Sequence, residues 1–224
     1  MLDFLVVTAH PDDESAIAGF LLSAKKQGYK TGIICLTKGE SGGFATKEER
    51  VLEFEEAAAL LGFDWVRILD FPDAGIEVSS SAVETLIPLF RETEAKTIIT
   101  LHPEDYHPDH RAVAALVDRA VFVAGLKKHS TDDTTWHPAQ VLSISLDARR
   151  ATRRADIVYD ISDVQEEWRA FLKCYPSQKI AQFVEIRARY YGLLGGYPLA
   201  EGFFLNQPLR LDGPGTLIHK GKRN

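Results

Sequence analysis

The sequence contains only two cysteines and one methionine in 224 residues. Two cysteines cannot build the multiple-disulfide framework of a small secreted domain, so we expect Cys35 and Cys174 to be reduced, buried side chains. No apolar run approaches the roughly 20 residues that a bilayer span requires. The first residues show no basic segment followed by an apolar one, so no secretory signal is expected. These absences predict a cytoplasmic protein with no membrane partner.

Positive charge is also scarce, because 26 Lys and Arg face 32 Asp and Glu, for a formal net charge of −6. This balance argues against a nucleic-acid or anionic-membrane surface. The Gly-x-Gly-x-x-Gly pattern of dinucleotide-binding turns is missing after the first strand-like run, and the carboxylates found there would repel phosphate. We therefore expect a small-molecule partner rather than nucleic acid.

What is present is a regular alternation of apolar runs and amphipathic segments over residues 1–126. Strands are predicted at residues 2–8, 32–36, 65–69 and 97–101, and helices at about 13–27, 47–61, 80–92 and 109–126. Alternation of this kind predicts right-handed βαβ units. The expected fold is α/β and Rossmann-like, with a mostly parallel β-sheet covered by helices on both faces.

The pattern changes after residue 126. An exposed loop is predicted at 127–136, strands at 141–145 and 157–159, and helices at about 162–174 and 178–191. The end of the chain, from residue 192, is rich in Gly and Pro, and we expect it to wrap the domain. Since no linker or repeat divides the chain, we predict a single domain over 1–224, with a core at about 1–126 and a C-terminal part at about 139–224 that completes the site.

Two short segments carry chemistry: residues 10–14 (His-Pro-Asp-Asp-Glu) and residues 107–110 (His-Pro-Asp-His). Each follows a predicted strand directly, and the carboxyl ends of parallel strands line one crevice. Imidazoles and carboxylates delivered there from two strands suit a catalytic divalent metal with three protein ligands and one open position. In the alternative interpretation, Asp12 or Asp13 caps the first helix and the histidines lie on the surface.

In the metal interpretation, the spacing suggests a different role for each of these residues. One of the aspartates at 12–13 can join His10 on the metal while the other stands over a metal-bound water, and His110 can be the third ligand. His107 can then lie beside the open position, with Asp109 fixing its tautomer. A histidinium at this helix N-terminus would oppose the positive end of the helix dipole, which favours a special role.

These segments, with Gly19, resemble the LmbE-like (PIG-L) zinc-dependent N-deacetylases. Later blocks at 160–163, 175–178, 187–192 and 200–203 are also similar, the last two to the bacterial branch that acts on N-acetylglucosaminyl-L-malate in bacillithiol biosynthesis. One departure is visible, because the family usually has paired glycines in the first helix and here Gly19 is followed by Phe20.

The resemblance implies a role for each matched residue. One zinc ion per chain would be held by His10, Asp13 and His110, although such ligand sets also accept iron, cobalt or manganese. Asp12 would be the general base for attack of zinc-bound water on the acetyl carbonyl. The electrophilic or acid partner would be His107, oriented by Asp109. A homo-oligomer, trimeric or hexameric, is also implied.

Three substrate-binding residues are predicted on weaker grounds. Arg50 would hold a carboxylate or a sugar hydroxyl of the substrate, unless it forms a surface salt bridge with Glu49 or Glu53. Gly43, in a glycine-bearing loop, would let backbone amides approach sugar hydroxyls, unless this loop is merely a mobile surface loop. Relatives place a tyrosine near the C-terminal block at the site, and Tyr197 is our candidate.

The resemblance thus implies hydrolytic removal of the acetyl group from an N-acetylglucosaminyl conjugate, with N-acetylglucosaminyl-L-malate as the first candidate. Another N-acetyl sugar, such as an N-acetylglucosamine oligomer or an inositol or antibiotic conjugate, is the alternative within the family. A non-catalytic sugar- or nucleotide-binding Rossmann-like module is the alternative from another class.

Overall fold

A computed structural model describes residues 1–129, 135–147 and 153–209 of the chain. Its centre is a seven-stranded sheet in the order β3-β2-β1-β4-β5-β7-β6. The strands are β1 (Phe4–Thr8), β2 (Thr31–Cys35), β3 (Trp65–Ile68), β4 (Thr97–Leu101), β5 (Gln140–Ile144), β6 (Ile157–Asp160) and β7 (Ala200–Leu205). Strands β1 to β5 pair in parallel, whereas β7 runs antiparallel to both β5 and β6. The predicted mostly parallel, Rossmann-like sheet is confirmed.

Six α-helices accompany this sheet in the described part of the chain. They are α1 (Ala18–Lys26), α2 (Lys47–Leu61), α3 (Ser80–Thr93), α4 (Pro108–Ala124), α5 (Gln165–Phe171) and α6 (Ala181–Gly195). Helices α3 and α4 pack on each other, while α1 packs on α2 and α5, which forms a second layer. Among the described residues, no helix combines the length and the apolar character of a membrane span.

Local sequence explains the helix whose bounds were predicted most closely. At the start of α2, the Thr46 hydroxyl accepts the Glu49 amide N–H at 3.2 Å, and the Glu49 carboxylate accepts the Thr46 N–H at 2.8 Å. This capping box satisfies two amides that the first turn leaves unpaired. Gly62 ends the helix at φ 69°, in the left-handed region where glycine is favoured.

Two predicted elements are wrong in detail. The first predicted helix is broken, because a 3-10 turn at Asp13–Ala16 is followed by Ile17 at φ −137° before α1 begins. The C-terminal segment does not only wrap the domain, since β7 inserts between β5 and β6 with its first five residues buried. Residues 130–134 of the predicted loop and residues 210–224 lie outside the described part.

The single glycine of the first helix has a clear packing role. A Cβ at Gly19 would lie 2.6 Å from the Ile161 side chain, so the helix needs glycine there. The next position does not, because Phe20 packs edge-on against Phe4 and Phe203, with ring centroids 5.0 and 5.2 Å away. Where the family usually has a second glycine, this chain therefore has a phenylalanine that belongs to an aromatic cluster.

Candidate active site

The two predicted segments meet at the point where the strand order reverses. Strands β1 and β4 are neighbours, while β2 continues on the other side of β1, so their carboxyl ends form the crevice typical of doubly wound sheets. A pocket of about 290 Å³ opens there and is lined by residues of both segments. This volume is at the lower end for small-molecule sites, which are about 300–1,000 Å³.

Asp13 is fixed with one carboxylate oxygen directed toward the histidines. Its Oδ2 accepts the backbone N–H groups of Ala9 at 3.0 Å and His10 at 2.9 Å. Its Oδ1 lies 3.3 Å from Nε2 of His110. The backbone of the turn thus holds Oδ2, which leaves Oδ1 as the oxygen available to a ligand.

Carboxylates behind the two histidines select which ring nitrogen faces the pocket. Nε2 of His10 lies 3.0 Å from Oδ1 of Asp73 and 3.2 Å from Oδ2 of Asp109. Nδ1 of His110 lies 3.0 Å from Oδ1 of Asp105. A carboxylate behind a histidine ring fixes the tautomer and orients the opposite nitrogen for a metal. The available donor atoms are therefore Nδ1 of His10 and Nε2 of His110, together with the Asp13 oxygen.

The charge of this cluster also favours a cation. Burial lowers the pKa of His110, but the carboxylates of Asp13 and Asp105 outweigh it and raise the pKa to about 10. Burial and the neighbouring Asp13 raise the pKa of Asp12 to about 7. At Asp12, burial and the negative charge of Asp13 thus outweigh the nearby Arg50 guanidinium, and at His110 the two carboxylates outweigh burial. Two imidazole nitrogens and one carboxylate oxygen in such surroundings fit a divalent transition metal.

His107 lies beside the donor atoms without being held by a carboxylate. Its ring stacks on His110 with centroids 4.6 Å apart. Its Nδ1 accepts the backbone N–H of Asp109 at 3.2 Å and so caps α4. Because Nδ1 is an acceptor, the neutral ring carries its proton on Nε2. Burial, with His110 and His10 nearby, lowers the pKa of His107 and keeps this ring neutral.

Asp109 contacts the His107 ring through its backbone N–H, while its carboxylate contacts other groups. Its carboxylate accepts the backbone N–H groups of Ala74 at 2.8 Å and Ile76 at 3.2 Å, and it contacts His10. The loop after β3 therefore turns this carboxylate toward His10, and only the Asp109 backbone reaches His107. The Asp109 carboxylate thus supports a predicted metal ligand, whereas its backbone N–H fixes the tautomer of His107.

The Asp12 carboxylate opens to the pocket and does not cap a helix. Among the described residues its side chain caps no helix, and its backbone has φ 108°. The carboxylate lines the pocket, is 20% exposed, and lies 3.5 Å from Nη2 of Arg50. A partly open carboxylate next to the metal donors can accept a proton from a nucleophilic water.

Arg50 lines the pocket, but its guanidinium group donates to backbone carbonyl groups. Nη2 donates to the carbonyl of Pro11 at 2.5 Å, and Nη1 donates to the carbonyl of Gly42 at 3.2 Å. The side chain is only 4% exposed, so a surface salt bridge is excluded. A Cβ at Gly39 would lie 2.6 Å from the guanidinium, so glycine makes room for it. Arg50 thus holds the turn that carries Asp12 with two of its five N–H donors, and its contact with a substrate stays a prediction.

The structure does not bring the other two predicted substrate residues to the pocket wall. Gly42 lines the pocket, whereas Gly43 packs against the Gln178 side chain. Tyr197 follows the end of α6, whose earlier residue Arg187 does line the pocket. The eight residues from Arg187 to the helix end correspond to about 12 Å. Tyr197 is thus not among the residues that line this pocket, and its contact with a substrate stays a prediction.

Comparison with known proteins agrees with this geometry. A model of the PIG-L family, described as GlcNAc-PI de-N-acetylase, matches residues 5–121, which include both segments. The chain belongs to the PIG-L (LmbE-like) family. A relative from Bacillus cereus, named probable N-acetyl-alpha-D-glucosaminyl L-malate deacetylase 2, is 28% identical, and the match covers 83% of this chain and 87% of the relative.

Solved structures of the same fold include proteins of different activity. Conserved protein TT1542 from Thermus thermophilus is 32% identical, with a TM-score of 0.86 over 94% of this chain and 97% of that one. The 4-carboxy-2-hydroxymuconate hydratase of Pseudomonas putida KT2440 is 20% identical, with a TM-score of 0.82 over 95% of this chain and 99% of that one. The fold alone thus does not decide the reaction, whereas membership of the PIG-L family supports N-deacetylase activity.

In this LmbE-like chain, two residues that contact the histidines of the pocket were not predicted from the sequence. Asp73 contacts His10, and although burial raises its pKa, the His10 ring and the Ser41 amide lower it to about 2. It follows β3 closely, so the same strand-end argument could have found it. Asp105 precedes His107 by two residues, but nothing local indicated that it contacts His110.

The wall of the LmbE-like pocket away from the metal donors is largely apolar. It is formed by Leu146, Ile180, Phe183 and Val184. Arg187 lies beside it, with Nη1 donating to the Leu146 carbonyl and Nη2 to the Ser15 carbonyl, both at 3.0 Å. This arginine ties α6 to the turn that follows β1, so the apolar wall is fixed relative to the side chains of that turn.

Proposed function

We propose that this protein is a zinc-dependent hydrolase that removes the acetyl group from an N-acetylglucosaminyl conjugate. One observation carries the proposal: His10 and His110 lie, with His107, close enough together to hold one ion, Asp13 contacts both His10 and His110, and the Asp12 carboxylate opens to the same pocket. Two imidazoles, one carboxylate and a free base is the composition of a hydrolytic zinc site. The non-catalytic alternative offers no reason for burying so many carboxylates around two histidines.

Amide hydrolysis is difficult because the carbonyl is a poor electrophile and the amine is a poor leaving group. The side chains of the pocket suit both requirements. A bound zinc ion would supply Lewis-acid polarisation of the acetyl carbonyl and a water pKa of about 7. Asp12, whose carboxylate opens to the pocket, takes a proton from the attacking water and returns it to the departing amine. His107 donates its Nε2–H to the carbonyl oxygen as negative charge develops there.

N-Acetylglucosaminyl-L-malate is the first candidate substrate. The C-terminal sequence block and the Bacillus cereus relative support it. The apolar pocket wall favours a second candidate, an N-acetylglucosamine conjugate with an uncharged or apolar group, because both arginines of the pocket already donate to backbone carbonyls. The cytoplasmic location and the trimeric or hexameric assembly stay predictions.

Release of free amine distinguishes these substrates. Enzyme reconstituted with one equivalent of zinc is assayed on N-acetylglucosaminyl-L-malate, on phenyl 2-acetamido-2-deoxyglucoside and on N-acetylglucosamine. We expect kcat/KM for the malate conjugate to exceed that for N-acetylglucosamine at least about 100-fold, roughly 2.7 kcal/mol. Preference for the phenyl glycoside selects the second candidate. Full zinc occupancy without turnover of any of the three contradicts the deacetylase proposal.

A further inference from the structure

A buried polar pair lies directly beneath the metal-binding turn and has no role in the chemistry described so far. Glu14 and Tyr175 are both about 1% exposed, although they are 161 residues apart in the chain. The Tyr175 hydroxyl donates to Oε1 of Glu14. A carboxyl–hydroxyl pair is costly to bury, and apolar side chains of similar size would serve packing alone.

The other oxygen of Glu14 reaches the backbone of the general base. Oε2 accepts the backbone N–H of Asp12 at 3.2 Å. Asp12 has φ 108°, well beyond the left-handed value of about 57° that aspartate tolerates best. Strained backbone of this kind persists only where surrounding groups hold it, and it is concentrated at active sites.

The turn is held from two directions. On the pocket side, Arg50 donates a hydrogen bond to the Pro11 carbonyl. On the buried side, the segment that carries Tyr175 is anchored because Ser177 donates its backbone N–H at 3.0 Å and its hydroxyl at 2.6 Å to the Glu53 carboxylate of α2. The Tyr175 hydroxyl therefore has a fixed position from which to hold Glu14.

We propose that Tyr175, acting through Glu14, is a positioning residue that holds the Asp12 carboxylate in its reactive orientation. The inference rests on the proposed function, in which Asp12 is the general base. Neither side chain is among the residues that line the pocket, so neither is expected to touch the substrate. Their effect should therefore appear in kcat and not in substrate affinity.

Tyr175→Phe tests the inference, because it removes only the hydroxyl. It is measured in the wild-type background and in Asp12→Asn, with zinc-reconstituted enzyme and N-acetylglucosaminyl-L-malate, or N-acetylglucosamine if the malate conjugate is not turned over. Tyr159→Phe is the matched control, since it removes a hydroxyl that contacts Ser23 at 2.8 Å in another part of the fold. Zinc stoichiometry and circular dichroism are recorded for every variant.

We expect Tyr175→Phe to lower kcat about 10- to 100-fold, as displacement of a catalytic group by about 1 Å does, with KM changed less than about twofold. In the Asp12→Asn background the same change should have no further effect on kcat. An equal fall in both backgrounds, or a kcat matching Tyr159→Phe, overturns the positioning role. Asp12→Asn with wild-type kcat overturns the proposed function itself, so the two failures are distinct.

Discussion

Asp109→Asn tests which histidine the Asp109 side chain serves. The carboxylate accepts three N–H groups, from the backbone of Ala74 and Ile76 and from the His10 ring. Asparagine has one carbonyl oxygen, so its NH₂ group must face at least one of these donors. The variant therefore either releases the loop after β3 or opposes the His10 ring N–H.

The expected loss of zinc affinity depends on a second carboxylate that contacts the same His10 ring. Loss of a partner behind a metal-binding histidine costs about 10- to 100-fold in metal affinity. Asp73 lies 3.0 Å from the same His10 nitrogen, so Asp109→Asn alone should weaken zinc binding by about 10-fold, roughly 1.4 kcal/mol. With Asp73→Asn added, the ring keeps no carboxylate partner and its other tautomer becomes accessible. The double variant should weaken binding by at least about 100-fold.

Competition with a chromophoric chelator measures the zinc Kd of each variant. Asp64→Asn is the control, because that carboxylate accepts the Thr31 backbone N–H at 2.9 Å at the opposite end of the sheet. An unchanged zinc Kd with a reduced kcat in Asp109→Asn would refute this reasoning. That result would restore the original prediction that Asp109 acts on His107.

Three further predictions concern the turn and its support. Asp13→Ala should abolish zinc binding, so that zinc no longer raises Tm, and full metal occupancy would contradict its role as a ligand. Asp12→Asn should keep its zinc while kcat falls about 10²- to 10⁴-fold, and near-normal amine release would contradict its role as the base. Gly39→Ala should lower the free energy of unfolding by about 1–3 kcal/mol more than Gly28→Ala, because both glycines have positive φ but only Gly39 faces the Arg50 guanidinium. Equal losses in urea denaturation would exclude the steric effect on Arg50.

The sequence predicted those features that local patterns determine. The bounds of α2 follow from a capping box and a glycine that lie within three residues of its ends. The meeting of residues 10–14 and 107–110 follows from two buried strands and the general rule for strand ends. Neither inference needs knowledge of a distant partner.

Other features depend on contacts that no local pattern reveals. The Asp109 carboxylate is turned toward His10 by two amides of the loop after β3, 33 and 35 residues earlier in the chain. Strand β7 contains Glu201, a buried carboxyl group that the strand pattern disfavours, yet its oxygens accept the backbone N–H groups of Gly19 at 2.8 Å and Phe20 at 2.7 Å. The contacts of Arg50 with backbone carbonyl groups could not be predicted, because such groups leave no signature in a sequence.

The contact between Glu201 and the start of α1 has a consequence for biogenesis. During synthesis the ribosome releases α1 some 180 residues before Glu201, so the nascent helix emerges without the acceptor for its first amides. The edge of β5 is likewise unpaired until β7 arrives, and an open strand edge is a template for aggregation. Pairing over such a separation is slow. A nascent chain arrested before residue 200 therefore exposes both the unpaired edge of β5 and the first amides of α1, which acquire their partners only when β7 has been made.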